Sequence, residues 1–462
     1  MTVIGIDDTD SRNRGMCTTY LATRIATAIE HAGGTVERRL LIRLNPAVEH
    51  KTRGNAAIAL HTDIDPTDAV EISTQFIDSL AISDDPNTSP GVVITDTCTP
   101  HSVADSVIDF CWDAIREFHT IADTVDLIEQ VGYHHQGWDG GRGRIGALAA
   151  VGAWAALTEW TIEHIAYRQF NRCGTDRDVD EKSVFEAAKR QYPAVWDTVD
   201  REEDDAVCVP NAPGPILYGI RGDDVAAVKT VAAEIDSEPV ERSSTFITNQ
   251  GTDIHLRPGT IGSLRDNRAY RVTGTVITDP ETRPGGHVFV TLGKRETTEE
   301  DHIEETSSKE SAVLTDTHHL RTKSSNPDIT DQNVSSTITC VAFEPTKRFR
   351  QWVRKLRVGD IITVCGEVSN GTLKLEKFAI RSLTRTTKTT PICPGCNRTM
   401  KSAGRNQGYR CRDCGTSSST QSEKSLDRVL SLKWYEVPPC ARRHIAQPLI
   451  RGDFDAPIMP ER

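Results

Sequence analysis

No stretch of the chain reaches 18 consecutive apolar residues, so the sequence supplies no membrane-spanning helix. The opening residues, MTVIGIDDTD, lack the basic-then-apolar order of a secretory leader, which predicts a cytoplasmic protein. Methionine (4) and phenylalanine (11) are scarce, and aromatics make up 6 %. Positive charge is in deficit: 54 Lys and Arg against 66 Asp and Glu leave a net charge of −12. That excludes a uniformly basic nucleic-acid coat, because phosphate neutralisation needs clustered cations. It leaves room for a local basic groove. Excess carboxylate beside few large apolar side chains also fits a halophilic protein, whose acids hold a hydration shell. Two common nucleotide signatures are missing too, the GxxxxGK[ST] loop and the SGGxDS pyrophosphatase loop.

What is present is 462 residues, 37 % of them hydrophobic, enough for about three domains. Thr2–Ile6 reads as a strand, Cys17–His31 as a helix, and Thr35–Leu44, Asn55–His61 and Gly91–Thr95 as further strands. Ser102–His119 has helical apolar spacing with Ser102 as its expected cap. Strands separated by helices predict an α/β or α+β domain. A second α+β unit follows, with an alanine-rich helix over Ala147–Glu159, an acidic surface loop at Asp200–Asp205, a helix over Asp224–Ile235 and a strand over Glu241–Thr248. From Ser263 short strands with turn signals predict a small β-barrel. Within it, Arg295–Asn333 reads as a solvated, acidic insertion.

Twelve cysteines in a reducing compartment argue against disulfides, and the spacing of four decides their role. Cys393-Pro-Gly-Cys396 and Cys411-Arg-Asp-Cys414 form two CxxC knuckles that can close on one tetrahedral, structural Zn²⁺. At the end of the first strand stand Asp7, Asp8 and Asp10, hard oxygen donors suited to Mg²⁺ on a polyphosphate. Strand alternation would put Asp8 and Asp10 on one face and Asp7 on the other; a solvated acidic turn fits the pattern equally. Gly141, Arg142, Gly143, Arg144 and Gly146 form a GxGxxG run that opens a helix, where amides and the helix dipole can hold phosphate. No clear strand leads into it, so it is not a Rossmann fingerprint. Thr18 and Thr19 stand at a helix start, as caps or as functional hydroxyls. Asn45-Pro46 and the run Lys51, Arg53 and Asn55 form either a phosphate grip or a polar hairpin loop. Lys347, Arg350 and Arg354 belong to a six-cation stretch interleaved with Phe349 and Trp352, which offers charge for phosphates and rings for bases.

Taken together, GIDDTDS…GMCTTY, NP…KTRGNAA, GRGRIGA, PNAPGPILYGIRG, FEPTKRFRQWVRKLRVGD and the paired CxxC ribbon resemble the archaeal tRNA(Ile) 2-agmatinylcytidine synthetase family, TiaS, over nearly the whole chain. The resemblance implies a multidomain α+β protein. Its parts would be a kinase-like α/β domain (1–130), a ferredoxin-like domain (131–262) that may interleave with it, an OB-fold (263–388) carrying the 295–333 insertion, a zinc ribbon (389–418) and a C-terminal extension (419–462). It implies an ATP-dependent ligase that joins agmatine to C2 of the wobble cytidine in a CAU-anticodon isoleucine tRNA, changing the codon read from AUG to AUA. ATP phosphorylates the cytosine C2 oxygen, the agmatine amine displaces that phosphate, and AMP is a product. The implied cofactors are ATP, Mg²⁺ and structural Zn²⁺; the partners are the tRNA and agmatine, with no membrane and no obligate protein partner. Asp7, Asp8 and Asp10 correspond to metal-binding and catalytic acids, Thr18 to a self-phosphorylated threonine, and Gly141–Gly146 to the phosphate loop. Agmatine is dicationic, so Asp204, Asp205 and Asp223, which flank the segment containing Asn211, are expected carboxylates for it. A tRNA-binding protein without catalysis, or a ligase for another amine, are the competing readings.

Overall fold

The computed structural model describes residues 1–11, 15–49, 51, 54–82, 84–96, 102–295 and 336–461. The expected insertion therefore lies almost wholly outside the described residues, as does Arg53.

The first 255 residues build one continuous mixed sheet of nine strands. In chain order its elements are β1 (Thr2–Asp7), α1 (Thr18–His31), β2 (Val36–Arg43), β3 (Ala56–Thr62), α2 (Pro66–Leu80), β4 (Gly91–Asp96), α3 (Asp105–Arg116), α4 (Ile121–Val131), β5 (His134–Gly137), α5 (Arg144–Ala156), β6 (Thr161–Arg168), α6 (Glu181–Gln191), β7 (Val195–Trp196), β8 (Ile216–Gly222), α7 (Val225–Glu234) and β9 (Val240–Thr248). The spatial order is β5-β4-β1-β3-β2-β9-β6-β8-β7. Among the described residues its pairings are antiparallel except β2 with β9, where Leu40 and Leu41 run alongside Ile247 and Thr248. β1 is a run of buried residues, Val3, Ile4 and Ile6 among them, because helices cover both its faces. Ile4 and Ile6 pack under α1 and Ile77 of α2, whereas Val3 faces Leu148 and Val151 of α5 and Val107 of α3. Gly5 lets α5 lie directly on β1, since a Cβ there would collide with the Ala147 carbonyl.

Several sequence expectations change here. The helix after Val103 starts at Asp105 with Ala104, not Ser102, at its cap position, and a second helix, α4, follows it. A strand does lead into the GxGxxG run: β5, HHQG, lies at the sheet edge and carries no apolar alternation to betray it. β5 and α5 fall after the expected boundary at 130, yet β5 pairs with β4 and α5 packs on β1 and β4 in the first half of the sheet. The acidic stretch at Asp200–Asp205 is exposed over 201–205, as expected of a surface loop, and differs only in that Asp200 is fully buried.

The barrel closes through β11 (Arg268–Val276), β13 (Val288–Lys294), β14 (Thr337–Ala342), β16 (Thr372–Ser382) and β15 (Ile361–Ser369), with β15 returning to β11. β10 (Leu256–Gly259) and β12 (Glu281–Thr282) flank it. Within the ring the β14–β16 pair is parallel and the others antiparallel. Val272, Val290, Val364 and Phe378 fill its interior, and Phe349 of the short helix α8 (Phe349–Val353) plugs one end. A small sheet of two-residue strands, including Lys401–Ser402 and Tyr409–Arg410, forms the ribbon.

Candidate active site

The antiparallel register places the C-terminal ends of β1, β2 and β5 and the N-terminal ends of β3 and β4 along one edge of the sheet. The loops leaving that edge enclose a cleft of about 270 Å³. Asp7, Asp8 and Asp10 all line it, together with Lys51, Asn55, Arg142, Gly143 and Gly146. β1 ends at Asp7, and Asp8 takes a left-handed backbone (φ 59°), so strand alternation stops and the three carboxylates share one cavity.

The glycines explain how the cleft is built. Helix α5 abuts the end of β1, and a Cβ on Gly143 would meet the Asp7 carbonyl while one on Gly146 would collide with the Asp7 carboxylate. The loop is nevertheless not the open amide cradle that its sequence predicts. The Arg142 N–H donates to Ser89 Oγ (2.9 Å), Gly143 N–H to the Ser89 carbonyl (2.8 Å) and Gly141 N–H to the Trp138 carbonyl (2.7 Å). Arg144 turns away and donates to the Gly141 and Gly140 carbonyls at 2.9 and 3.1 Å, so it locks the loop. Arg142 is the cation that enters the cleft, donating to Asp8 Oδ2 at 2.6 Å and the Asn87 carbonyl at 2.5 Å.

Burial dominates the acids. It raises Asp7 well above the usual carboxylate range, and the neighbouring Asp8 adds to the effect. Asp8 is pushed up to about 6 by burial, which outweighs the attraction of Arg142. These are clustered carboxylates short of positive charge, and they fit a hard divalent cation. Among the described residues only the cysteines bring three or more ligand atoms within 4.8 Å of one another, so the aspartates are no preformed cage. Mg²⁺ commonly takes one or two carboxylates plus substrate phosphate, which suits that spacing.

Not every expected residue lies in the cleft, and several are engaged by neighbours. Thr18 is buried behind the acidic turn, with Thr9 Oγ1 3.1 Å from its hydroxyl, and it does not cap α1. Lys51 donates to the Pro46 carbonyl, and Asn55 donates to the Asn45 carbonyl at 2.8 Å. Asn211 is exposed and outside the cleft, and Asp204 is exposed as well. Asp223 is engaged by Trp196 Nε1 (2.9 Å) and Arg451 Nε (2.8 Å), and Asp205 pairs with Asp200 through the backbone. In the basic stretch Lys347 approaches Glu203 (3.5 Å), Arg350 pairs with Glu344 (3.0 Å) and donates to the Gly286 carbonyl, and Arg354 donates to the Thr282 hydroxyl (3.1 Å). Phe349 cannot stack on a base, being wholly buried in the barrel, and Trp352 packs against Tyr435.

Sequence reasoning missed the far wall of the cleft: Glu117, Phe118 and His119 after α3, and Asn267 from the barrel. Glu117 is held by Arg257 (2.5 Å) and Arg268 (2.5 Å); burial alone would raise it, but the two arginines bring it below its usual range. The sequence clue was Phe118, an aromatic in a chain with few of them, just past a helix end. At the other end of the chain the four sulfurs of Cys393, Cys396, Cys411 and Cys414 lie within 4.8 Å of one another, as a single Zn²⁺ requires.

An acid-lined cleft, a closed barrel and a four-cysteine ribbon in one chain define a multidomain nucleotide-using enzyme. Its relatives make this specific. Residues 3–64 match the family model described as the TiaS TCKD domain, 141–255 the TiaS FLD domain, and 390–430 the TiaS C-terminal zinc ribbon domain. The 2-agmatinylcytidine synthetase TiaS of Methanosarcina mazei is 42 % identical over 98 % of this chain and 97 % of its own; that of Archaeoglobus fulgidus is 38 % identical, with 98 % of each covered. The crystal structure of a TiaS–tRNA–ATP complex superposes with TM-score 0.82 at 37 % identity, covering 100 % of this chain and 99 % of that one. A TiaS–tRNA–AMPCPP–agmatine complex gives 0.81 at 35 %, with 100 % and 99 % covered. In both, the RNA is an isoleucine tRNA. The chain belongs to the TiaS family of tRNA 2-agmatinylcytidine synthetases.

Proposed function

We propose that the chain is an ATP-dependent ligase that attaches agmatine to C2 of the wobble cytidine of an isoleucine tRNA, so that the anticodon reads AUA in place of AUG. The observation that carries this is the cleft in which Asp7, Asp8, Asp10 and Arg142 meet at the N-terminus of α5, in a chain that aligns end to end with relatives of that activity. A cytosine C2 oxygen is a poor leaving group. Phosphorylating it makes a good one, and the agmatine amine then displaces the phosphate. Phosphoryl transfer asks the protein chiefly for positioning and for charge opposite the transferred group. Asp8 and Asp10, with Asp7 behind them, would hold Mg²⁺, which when bound neutralises the polyphosphate. Arg142 supplies a fixed cation, and Gly143 and Gly146 let the start of α5 pack against Asp7. Lys51 and Asn55 serve the side of the cleft from which the flipped base would enter. Thr18 is the self-phosphorylated residue.

In this reading 1–130 and 131–262 are the kinase-like and ferredoxin-like units, which share one sheet and interleave through β5 and α5, 263–388 is an OB-fold, 389–418 the zinc ribbon and 419–462 an extension. The barrel's ring, with its parallel β14–β16 pair, supports the OB assignment. Lys347, Arg350 and Arg354 contact tRNA phosphates, Asn211 and Asp223 belong to the substrate-facing segment, and a tRNA substrate implies work in the cytoplasm. The test is to incubate the chain with the isoleucine tRNA, ATP and agmatine, digest the tRNA and weigh its nucleosides. The mass of 2-agmatinylcytidine must appear and must require ATP. An unmodified cytidine under these conditions overturns the reading.

A further inference from the structure

A cavity of about 400 Å³ opens on the barrel, lined by Arg271, Thr273, Arg295, Thr363, Arg381 and Asp455. Alternation along β11, β15 and β16 sends Val272, Val364 and Ile380 into the barrel, so Arg271, Thr273, Thr363 and Arg381 stand on its outer face. Thr273 and Thr363 are directly opposite, with hydroxyls 2.8 Å apart, and Arg381 Nε donates to Thr363 Oγ1 at 2.8 Å. The Arg271 and Arg381 guanidinium groups both lie over the buried ring of Trp434, 5.3 and 5.2 Å from its centroid, which holds them side by side. Asp455 accepts from Arg271 Nη2 (2.8 Å), Arg381 Nη2 (3.0 Å) and Trp434 Nε1 (2.9 Å). Three arginines thus face one carboxylate, in a chain whose net charge is −12. The Arg271 and Asp455 side chains are 42 % and 51 % exposed, so solvent reaches their contact. Among the described residues Arg271 donates through Nη2 alone, which leaves its other N–H groups open to an anion.

We propose, resting on the reading of the chain as a tRNA-modifying enzyme, that Asp455 is an internal competitor of RNA: its carboxylate fills an arginine pocket that takes a backbone phosphate when RNA displaces it. Planar guanidinium forks bind carboxylate and phosphate oxygens in the same way, so the bonds to Asp455 show the seat a phosphate would take. Exposed ion pairs of this kind add little stability, so giving them up costs the fold little. The tether decides which anion wins. Asp455 is held beside the arginines at high effective concentration, which a small free anion must overcome by itself. RNA already held at other phosphates is tethered too, and it brings more than one charge. The pocket therefore excludes small anions and opens to a polyanion.

The test is binding of the isoleucine tRNA to the full chain across salt concentrations. Asp455→Asn keeps the shape and an oxygen for the Trp434 N–H while removing the charge, and it should tighten binding by about threefold or more. Asp455→Ser is a second neutral variant, should the first fail to fold. Arg271→Gln should weaken binding by about threefold or more and lower the salt slope by about one. In the double variant Arg271→Gln with Asp455→Asn the gain should largely vanish. A gain that persists there comes from net charge alone and overturns the proposal. So does tRNA affinity that is unchanged or weaker in both Asp455 variants, or an Arg271→Gln chain with wild-type affinity and slope, which would make these groups a surface ion pair only. Inorganic phosphate that binds the wild type and responds to the same variants would assign the pocket to small anions. A wild type that neither binds the tRNA nor incorporates agmatine overturns the functional reading itself, a result distinct from any of these variant patterns.

Discussion

A carboxylate taken out of water with too little positive charge nearby holds its proton more tightly, and Asp7 and Asp8 are both in that position. For Asp8 the consequence has a definite sign. Its folded pKa, about 6, lies above the ordinary 3.8, so between those values the folded chain binds more protons than the unfolded one. Stability therefore falls as pH rises from about 4 to about 6, opposite to a salt-bridged aspartate. Asp8→Asn should stabilise the chain at pH 7.5, by at most about 3 kcal/mol, and the gain should vanish at about pH 4. Thermal melts at the two pH values check this; a lower melting point for the variant at pH 7.5 would contradict it. A cation binds the ionised acid, so Mg²⁺ affinity of the metal-free chain should weaken as pH drops through about 6, read by calorimetry across pH. The residues were legible because the acids follow a strand in a chain that also carries the GxGxxG run, although a solvated turn fitted them equally. Their environment was not, since alternation predicted two faces and the left-handed turn at Asp8 folds all three into one cleft.

Helix α5 shows what can and cannot be read at the scale of an element. Its glycines were visible as a motif, but their work is close approach: Gly5, Gly143 and Gly146 bring the helix terminus against β1. Gly146→Ala forces a methyl group into the Asp7 carboxylate and should cost about 1–3 kcal/mol, with a matching loss of activity. Denaturant titration and agmatine incorporation on the same protein test both halves. The ribbon was legible from spacing alone, because two CxxC knuckles leave little else for four thiols to do. Cys396→Ser should release the bound zinc and unfold residues 390–430, leaving ATP binding intact; unchanged zinc content by elemental analysis would contradict that. The basic stretch was legible as charge but not as partners. Arg350 is tied to the Glu344 carboxylate, whereas Arg354 donates to the neutral Thr282 hydroxyl. Arg354→Glu should therefore weaken tRNA binding more than Arg350→Glu. It should also lower the salt slope by about one per phosphate no longer neutralised, in binding assays across salt.

At the scale of the molecule, two expected domains turn out to share one sheet, and the join is only two residue pairs long. No local pattern announces such a pairing, because β2 and β9 stand about 200 residues apart and each reads as an ordinary strand. Charges then tie the barrel and the C-terminal segment to the sheet. Lys377 bonds Asp253 (2.8 Å), Arg451 bonds Asp223 (2.8 Å), and Arg442 lies between Asp197 (2.7 Å) and Glu436 (2.6 Å). Arg348 likewise reaches Asp200 (3.0 Å) and Glu461 (2.6 Å), which is why Asp200 is buried while 201–205 stay exposed. Arg428 and Asp360 form a similar buried pair at 2.6 Å within the barrel region. These ion pairs hold the barrel in a fixed relation to the cleft where the chemistry is placed. The most direct test of that placement is the single-turnover rate of labelled agmatine incorporation by Asp8→Asn, measured beside its affinity for tRNA. The expected result is at least about a hundredfold loss of rate, roughly 3 kcal/mol of transition-state stabilisation, with tRNA affinity within about threefold of wild type. Near-normal incorporation by Asp8→Asn would contradict it.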